Sequence, residues 1–210
     1  MPRPIYVVFE GVDGCGKTTQ SRLLAERLNA VLTREPGGTD LGAHLRGVLL
    51  DPGLSGKIDP FAELLLMNAD RAQHLREKVL PALQSGQSVV QDRSYFSSLA
   101  YQGHARGLSL DLVHAICGLV MGEVIPHKIF VLDIDIEQVE QRRDFADHDS
   151  TDRFEQEARE FRERLIAGYR TEAARASALN AVLLDARGTQ EEVTKSIWAH
   201  VEPLLTQGGA

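Results

Sequence analysis

The amino-acid sequence predicts an α/β fold of three layers, α/β/α, in which helices cover both faces of a five-stranded parallel sheet. Two observations predict it. Short β-branched or apolar runs alternate with longer helical patterns, and charged residues gather where each run ends. Strand–helix alternation indicates βαβ units, which build parallel sheets covered on both faces. The predicted strands are Ile5–Glu10, Ala30–Arg34, Ser88–Asp92, Lys128–Ile134 and Ala181–Asp185.

The segments between these strands have the apolar spacing of helices that pack by one face. The predicted helices are Lys17–Leu28, Leu41–Leu50, Pro60–Gln84, Leu110–Glu123, Phe154–Ala178 and Gln190–Leu205. The residues from Leu110 to Met121 are unusually apolar for one helix. This helix is predicted either to lie in the core or to form part of a dimer face.

Length and composition limit the class of protein. The 210 residues fit a single domain spanning 1–210. A net charge of −7 argues against a broad nucleic-acid surface, although a local arginine cluster is compatible with a small anionic substrate. Cys15 and Cys117 are far apart, so neither a disulfide framework nor a zinc site is predicted. The first apolar run is too short for a signal sequence or a membrane span, and a soluble cytoplasmic protein is expected.

One motif decides the class of activity. The segment Gly11-Val12-Asp13-Gly14-Cys15-Gly16-Lys17-Thr18 matches G-x-x-x-x-G-K-[ST] between an apolar strand and an amphipathic helix. Its glycines let backbone amides point at phosphate oxygens, and the helix N-terminus adds partial positive charge. Lys17 is predicted to reach the β- and γ-phosphates of ATP, and Thr18 to place its hydroxyl on Mg²⁺. The predicted ATP-binding residues are Gly11, Val12, Asp13, Gly14, Cys15, Gly16, Lys17, Thr18 and Thr19.

This P-loop predicts a fold of the P-loop NTPase type, but it leaves the fate of the γ-phosphate open. The candidates are transfer to a small acceptor, hydrolysis in a switch and hydrolysis in a motor. No N-K-x-D element for guanine is present, which weakens the switch, and no large second domain or repeat is present for a motor to move. Transfer to a small acceptor is therefore favoured.

The end of the third predicted strand supplies a carboxylate and a guanidinium. Asp92 suits Mg²⁺, directly or through water, and Arg93 is suited to bridge donor and acceptor phosphates. The alternative is an ordinary surface pair of Asp92 with Arg93. Asp133, at the end of the fourth strand, is a rival metal ligand or a helix-capping acid.

Five blocks in this order resemble one family over about residues 5–200: Phe9–Gly14, Arg34–Thr39, Asn68–Arg71, Asp92–Gly103 and Asp152–Glu155. The sequence is similar to thymidylate kinase of the bacterial kind. The resemblance implies transfer of the γ-phosphate of ATP to dTMP, giving dTDP and ADP for dTTP synthesis. It further implies Mg²⁺ as cofactor, in-line transfer without a covalent intermediate, and a homodimer.

The resemblance also implies roles on the acceptor side. Asp13 would accept a hydrogen bond from the 3′-hydroxyl of the sugar, Arg71 would bind the thymine ring, Arg93 would hold the acceptor phosphate, and Tyr101 would fill the space of a ribose 2′-hydroxyl. The other implied substrate-binding residues are Arg34, Met67, Ser97, Ser98 and Gln102. Met67, Arg71 and His74 share one helix face by spacing. The alternative for Arg71 is an ion pair with a carboxylate such as Glu63 or Asp70.

Two positions depart from the family pattern. Met67 stands where the family often has a stacking Phe, and Gly14 is neutral where some relatives have a basic P-loop residue. Members with a neutral residue there use arginines of a mobile lid, predicted here at about residues 142–153. The predicted catalytic residues are Lys17, Asp13, Arg93, Arg142, Arg143 and Arg153. Which lid arginine reaches the phosphates stays open, and a solvated charged loop is the alternative.

The last strand and two rival functions complete the predictions. In related kinases the loop Asp185–Gly188 packs against adenine, which implies that Arg187 belongs to the ATP site. The nearest rival is a deoxynucleoside kinase with Glu35 as the general base at an uncharged 5′-hydroxyl. Three arginines, at positions 34, 71 and 93, suit a phosphorylated acceptor better. A non-enzymatic nucleotide-binding switch is the rival from another class.

Overall fold

The computed structural model describes residues 3–144, 152–155, 157–176 and 180–206, with only the backbone described at 142–144. The elements in chain order are β1 Tyr6–Glu10, α1 Lys17–Leu28, β2 Val31–Arg34, α2 Asp40–Leu50, α3 Pro60–His74, α4 Leu80–Gln84, β3 Val89–Asp92, α5 Tyr95–Ser98, α6 Leu110–Met121, β4 Lys128–Asp133, α7 Ile136–Asp144, α8 Arg159–Arg175, β5 Ala181–Asp185 and α9 Gln190–Thr206. A π-helical turn, Leu75–Val79, joins α3 to α4, and another, Leu99–Ala105, continues α5.

The five strands form one sheet in the order β2-β3-β1-β4-β5, and every neighbouring pair is parallel. The predicted α/β fold with a five-stranded parallel sheet is confirmed. Strand β1 lies in the centre, so the P-loop leaves the middle of the sheet at its carboxyl edge. In open parallel sheets this edge carries the ligand crevice.

The centre of the sheet is the centre of the core. All of β1 is buried, and Phe9 packs against Phe130 of β4 with ring centroids 5.4 Å apart. Such strands are apolar throughout because helices cover both faces. The outer strands β2 and β5 instead leave Leu32 and Leu183 half exposed. Across the described ranges, no helix combines the length and apolar character that a membrane span requires.

Two predicted helices differ from the structure, and two further helices were not predicted. The helix predicted from Pro60 contains the π-helical turn just before Pro81, which lacks the amide hydrogen that a regular helix needs. The helix predicted from Phe154 begins only at Arg159, because the Asp152 carboxylate accepts from the amides of Phe154 and Glu155 and closes a turn. Helices α5 and α7 were not predicted.

Candidate active site

The P-loop wraps around Lys17. Gly11 has a φ of +137°, and a Cβ there would lie 2.7 Å from the Leu132 carbonyl oxygen of β4, so the close approach requires glycine. Gly16 (φ +95°) precedes the first residue of α1. The buried Lys17 ammonium donates to Asp13 Oδ1 at 2.9 Å and to the Val12 carbonyl at 3.3 Å. The loop and the N-terminus of α1 together form a phosphate cradle with a lysine inside it.

Thr18 and Asp92 lie side by side at the edge of this cradle. The Thr18 hydroxyl donates to Asp92 Oδ2 at 2.6 Å. Asp92 Oδ1 is buried and has no hydrogen-bond partner among the residues that the structure describes. A hydroxyl and a carboxylate with a spare oxygen fit Mg²⁺, which prefers oxygen ligands and fills its shell with phosphates and water. The rival Asp133 is instead bound by Arg170 Nε at 2.7 Å.

Arg93 is held in an unusual backbone conformation. Its φ is +66°, a left-handed value that costs free energy for a residue with a side chain. Its carbonyl accepts from Gln91 Nε2 at 2.8 Å, which helps to maintain this conformation. Its guanidinium donates to the Gly11 carbonyl at 2.9 Å, to the Tyr169 hydroxyl at 3.0 Å and to Asp13 Oδ1 at 2.5 Å. Arg93 therefore reaches back across β1 to the P-loop.

Asp13 joins the two sides of the site. Its Oδ1 accepts from both Lys17 and Arg93, and its Oδ2 accepts from the Tyr101 hydroxyl at 3.2 Å. Partial burial opposes ionisation, but Arg93 and Lys17 outweigh it and hold the pKa of Asp13 well below its usual range. Burial raises the pKa of Tyr101, so this phenol stays neutral and remains a donor. Asp13 is thus an anion at neutral pH, and about half of its side chain is exposed.

A cavity with about 580 Å³ of empty space, partly open to solvent, adjoins Asp13 on the β2–β3 side of the sheet. Every predicted substrate-binding residue except Arg34 lines it. These residues are Asp13, Met67, Arg71, Arg93, Ser97, Ser98, Tyr101 and Gln102. Side chains that are far apart in sequence therefore meet in one place. We call this space the acceptor cavity.

Arg71 lies at the buried end of the acceptor cavity. Its Nε donates to Glu35 Oε2 at 2.8 Å, and its Nη1 donates to Asn68 at 3.0 Å and Ser98 at 3.2 Å. Its carboxylate partner is Glu35, which also lines the cavity, and not one of the two carboxylates near it in sequence. A buried guanidinium held at several points presents its remaining surface in a fixed direction.

Glu35 has both carboxylate oxygens occupied. Arg71 binds one oxygen, and His74 Nδ1 lies 2.8 Å from the other. Burial disfavours the charge, but Arg71 and His74 outweigh it and lower the pKa of Glu35. A carboxylate with a lowered pKa and two partners is a poor general base. The geometry therefore weighs against the role that a deoxynucleoside kinase would give this residue.

Arg46 is a residue of the acceptor cavity that the sequence analysis missed. It lines the acceptor cavity from α2 and donates to the Pro36 carbonyl at 3.1 Å. Burial and the nearby cations Arg34 and Arg93 lower the pKa of Arg46, so three arginines share this region. The sequence does contain a pattern that indicates the position of Arg46. Thr39 caps α2 by accepting from the Gly42 amide at 2.9 Å, and two helical turns after Thr39 return the chain to the same side at Arg46.

Arg153, predicted as a lid arginine, is buried behind the acceptor cavity. Its Nη1 donates to Glu63 Oε2 at 2.6 Å, and its Nε donates to the Leu49 carbonyl. Its guanidinium covers the Phe154 ring at 4.1 Å, and that ring meets Tyr101 edge to face at 5.1 Å. Arg153 thus supports the acceptor side instead of lying over the P-loop.

The remaining predicted lid and adenine residues are Arg142, Arg143 and Arg187. The side chains of Arg142 and Arg143 and the rest of the predicted lid up to residue 151 lie outside the described residues. Arg187 is exposed, and its guanidinium donates to both oxygens of Asp185, at 2.8 and 2.7 Å. The guanidinium of Arg187 is thus turned towards Asp185, and its neighbours Ala186 and Gly188, not Arg187 itself, line the cleft beside the P-loop.

A second cleft, with about 460 Å³ of empty space, lies on the β5 side of the P-loop. The lining residues from the P-loop and α1 are Cys15, Gly16, Thr19 and Gln20, and those from the far wall are Ala186, Gly188, Gln190 and Val193. Gln20 is buried, donates to the Gln190 carbonyl at 3.0 Å and accepts from Thr194 at 2.8 Å. The two clefts thus flank the phosphate cradle from opposite edges of the sheet.

Comparisons with known proteins identify the family. The family model for thymidylate kinase matches residues 9–197. Thymidylate kinase of Pelotomaculum thermopropionicum is 46% identical over 176 residues, which is 81% of each chain. That of Desulforapulum autotrophicum is 42% identical over 203 residues, covering 92% of this chain and 88% of the other.

A solved structure leads to the same result. The crystal structure of thymidylate kinase from Ehrlichia chaffeensis matches with a TM-score of 0.75 and 30% identity, covering 95% of this chain and 99% of that one. The resemblance predicted from the five sequence blocks is confirmed. The chain belongs to the thymidylate kinase family, whose members are kinases that phosphorylate dTMP to dTDP with ATP.

Proposed function

We propose that this protein transfers the γ-phosphate of ATP to dTMP by direct in-line attack of an acceptor phosphate oxygen, giving dTDP and ADP. The observation that carries this proposal is the pair of clefts on either side of one phosphate cradle, with Asp13 and Arg93 between them. Such a site lets two nucleotides bind at once with their phosphates converging. Positioning and charge stabilisation then supply most of the catalysis.

On the donor side, the P-loop amides and Lys17 bind the β- and γ-phosphates, and the cleft beyond Gly16 receives the adenosine part of ATP. Thr18 and Asp92 would hold Mg²⁺, which would supply positive charge against that of the phosphates. Lys17 is buried at the start of α1, so its ammonium is already directed into the loop and needs little reorganisation when phosphate arrives.

On the acceptor side, Arg93 and Arg46 hold the phosphate of dTMP, with Arg34 at the exposed rim. Asp13 stays ionised and accepts a hydrogen bond from the 3′-hydroxyl of the sugar. Tyr101 is held by Asp13 and packed against Phe154, so its ring is a rigid wall against a 2′-hydroxyl. These contacts orient an acceptor that already carries a phosphate.

Transfer needs no covalent intermediate. The P-loop itself contains the thiol of Cys15, but this side chain is buried, and burial raises its pKa and keeps it protonated. Arg93, in contrast, already spans the region between donor and acceptor, where negative charge develops during transfer. A direct displacement therefore fits these residues better than an enzyme-bound phosphate.

The predicted lid belongs to the same proposal. Because Gly14 supplies no positive charge to the P-loop, we expect Arg142 and Arg143 to supply it from the segment of about residues 142–153. Arg153 marks the end of that segment and takes a supporting role through Glu63. The whole of 1–210 then acts as one nucleoside-monophosphate kinase domain.

We further propose that the protein is a cytoplasmic homodimer. Helix α6 leaves Leu119 84% exposed, and Ile125 just beyond it is 69% exposed, which together form an apolar surface suited to a second copy. Both cysteines are free thiols, as is usual in a reducing compartment. Size-exclusion chromatography with light scattering tests the dimer, and a monomer at micromolar concentration contradicts it.

ADP release with Mg²⁺-ATP tests the proposed function against dTMP, dUMP, ribo-TMP, dCMP, dGMP, AMP and thymidine. We expect strong turnover with dTMP, weaker turnover with dUMP and rejection of the ribonucleotide. Preference for thymidine would make the protein a nucleoside kinase. Release of ADP independent of every acceptor would support the nucleotide-binding switch instead.

A further inference from the structure

Gln102 has an unsatisfied oxygen in the acceptor cavity. The side chain is fully buried and lines that cavity, and its Nε2 donates to Glu63 Oε1 at 2.6 Å. Its Oε1 is also buried and finds no hydrogen-bond partner in the described parts of the chain. A buried acceptor without a donor costs free energy, so a bound molecule that offers a donor there is favoured.

The direction of the Gln102 amide is set from behind by Glu63. Glu63 is fully buried, and its Oε2 accepts from Arg153 Nη1 at 2.6 Å and from Arg106 Nη2 at 3.4 Å. Two guanidinium groups donate to this carboxylate, and a carboxylate offers only acceptors to the amide of Gln102. The atom of Gln102 that faces it must be the amide nitrogen. The amide oxygen is then the acceptor left without a partner among the described residues, on a side chain that lines the cavity.

We propose that Glu63 is a positioning residue that makes this kinase select a base with a ring N–H. The inference rests on the proposed function and deepens it. Arg71 offers donors and Gln102 offers an acceptor within the same cavity. Thymine and uracil match this pattern, because O4 accepts and N3–H donates. Cytosine presents the reverse, an amino group and an unprotonated N3, and so leaves buried groups unpaired.

Glu63→Gln tests the proposal because it is expected to turn the Gln102 amide around. The two arginines retain the oxygen of the new amide at position 63 on their side, so its nitrogen faces Gln102. Gln102 then turns its oxygen towards position 63 and its nitrogen into the cavity. We expect the ratio of kcat/KM for dTMP to that for dCMP to fall at least about tenfold, mainly through KM for dTMP.

A charge swap provides the rescue. In the double variant Glu63→Gln/Gln102→Glu, the amide nitrogen introduced at position 63 donates to one oxygen of the carboxylate introduced at position 102. The other oxygen of that carboxylate is again an acceptor in the cavity, and the total charge is that of the wild type. We expect this double variant to recover most of the preference for dTMP over dCMP, which a purely structural role for Glu63 does not predict.

Two further variants keep the test decisive. Glu172→Gln removes another buried carboxylate, one that accepts from His104 at 2.9 Å, and should leave the dTMP-to-dCMP ratio unchanged. If Glu63→Gln does not fold, Gln102→Met preserves Glu63 with its arginines and should still lower the ratio about tenfold. Thermal melting identifies variants that are merely unstable.

The outcomes separate the two levels of inference. A wild-type ratio in both Glu63→Gln and Gln102→Met, with dTMP turnover intact, overturns the positioning role and leaves the proposed function standing. A lowered ratio in Glu63→Gln that the swap restores supports it. Failure of the wild-type protein to phosphorylate dTMP at all overturns the proposed function itself.

Discussion

The two sides of the active site are built in different ways. The donor side is largely one continuous segment, Gly11–Thr18, whose backbone and first helical turn form the cradle. The acceptor side is assembled from α2, α3, the π-helical turn after α5 and the turn at 152–155. Its contacts span long distances in sequence, with 90 residues between Glu63 and Arg153. Under the proposed function, phosphate recognition is therefore local, whereas recognition of base and sugar depends on the whole fold.

The two sides also differ in how they hold charge. Asp13, on the donor side, is half exposed, but the acceptor side buries the ion pairs Glu35–Arg71 and Glu63–Arg153. Buried pairs cost desolvation and contribute little net stability, but losing one partner is expensive. Substitutions on the donor side should therefore change rate with little effect on stability, and substitutions on the acceptor side should change both.

The largest expected effect is on the donor side. Lys17→Ala should abolish measurable turnover, lowering kcat at least about a thousandfold, because a fixed charge next to the transferred phosphate is lost. Lys195→Ala, at an exposed position of α9, is the matched control. Steady-state ADP release and thermal melting make the comparison. Near-normal rates for Lys17→Ala contradict its assignment to phosphate stabilisation.

Arg93→Lys tests the connection between the two sides. An ammonium cannot reproduce the guanidinium contacts to Gly11, Asp13 and Tyr169 at once, so we expect kcat/KM for dTMP to fall about a hundredfold. Arg22→Lys on the exposed face of α1 should have no effect. Full activity of Arg93→Lys would show that charge alone suffices at this position.

Asp92→Asn tests which of two carboxylates at the carboxyl edge of the sheet, Asp92 or Asp133, binds the metal. We expect the Mg²⁺ concentration for half-maximal activity to rise about tenfold, because the side chain beside Thr18 loses its negative charge. Asp133→Asn is the matched variant and should keep the wild-type Mg²⁺ dependence, since Arg170 occupies that carboxylate. The reverse result assigns the metal to Asp133.

The smallest expected effect concerns pH on the acceptor side. The folded protein lowers the pKa of Glu35, so its ionised form is the stabilised one. The stability it contributes is present above its ordinary pKa of 4.5 and is lost as pH falls through the lowered value. Between pH 6 and pH 4 we expect wild type to lose more unfolding free energy than Glu35→Gln in urea unfolding, by less than about 0.8 kcal/mol. The exposed Glu77→Gln should keep the wild-type slope, and equal slopes for Glu35→Gln contradict the pairing.

Features formed by one continuous segment could be predicted from the sequence, whereas features assembled from distant segments could not. The bounds of α1 and β5 were predicted correctly, because the P-loop opens α1 and an apolar run ending in Asp185 defines β5. The strand-end residue Asp92 was recognised as a metal ligand candidate for the same local reason. Residues recognised only through the family resemblance, such as Tyr101, have no local pattern that reports their role.

Long-range partners were the part that sequence could not supply. Glu63 was considered only as a neighbour of Arg71, because helical spacing brings it close, whereas its actual partners come from two other segments. Arg153 was one of three candidate lid arginines because it ends the predicted lid, but it follows the turn made by Asp152 and its side chain is buried in the interior. Such choices depend on how elements pack, which periodicity does not encode.

The left-handed backbone conformation of Arg93 means that the residue best for stability at this position differs from the residue best for turnover. A glycine there would relieve the conformational strain, yet it would remove the side chain that contacts both the P-loop and Tyr169. A screen of variants for heat resistance alone would favour that exchange, and a screen for growth dependent on the enzyme would reject it. Engineering for stability should therefore leave Arg93 in place, although its backbone conformation favours glycine.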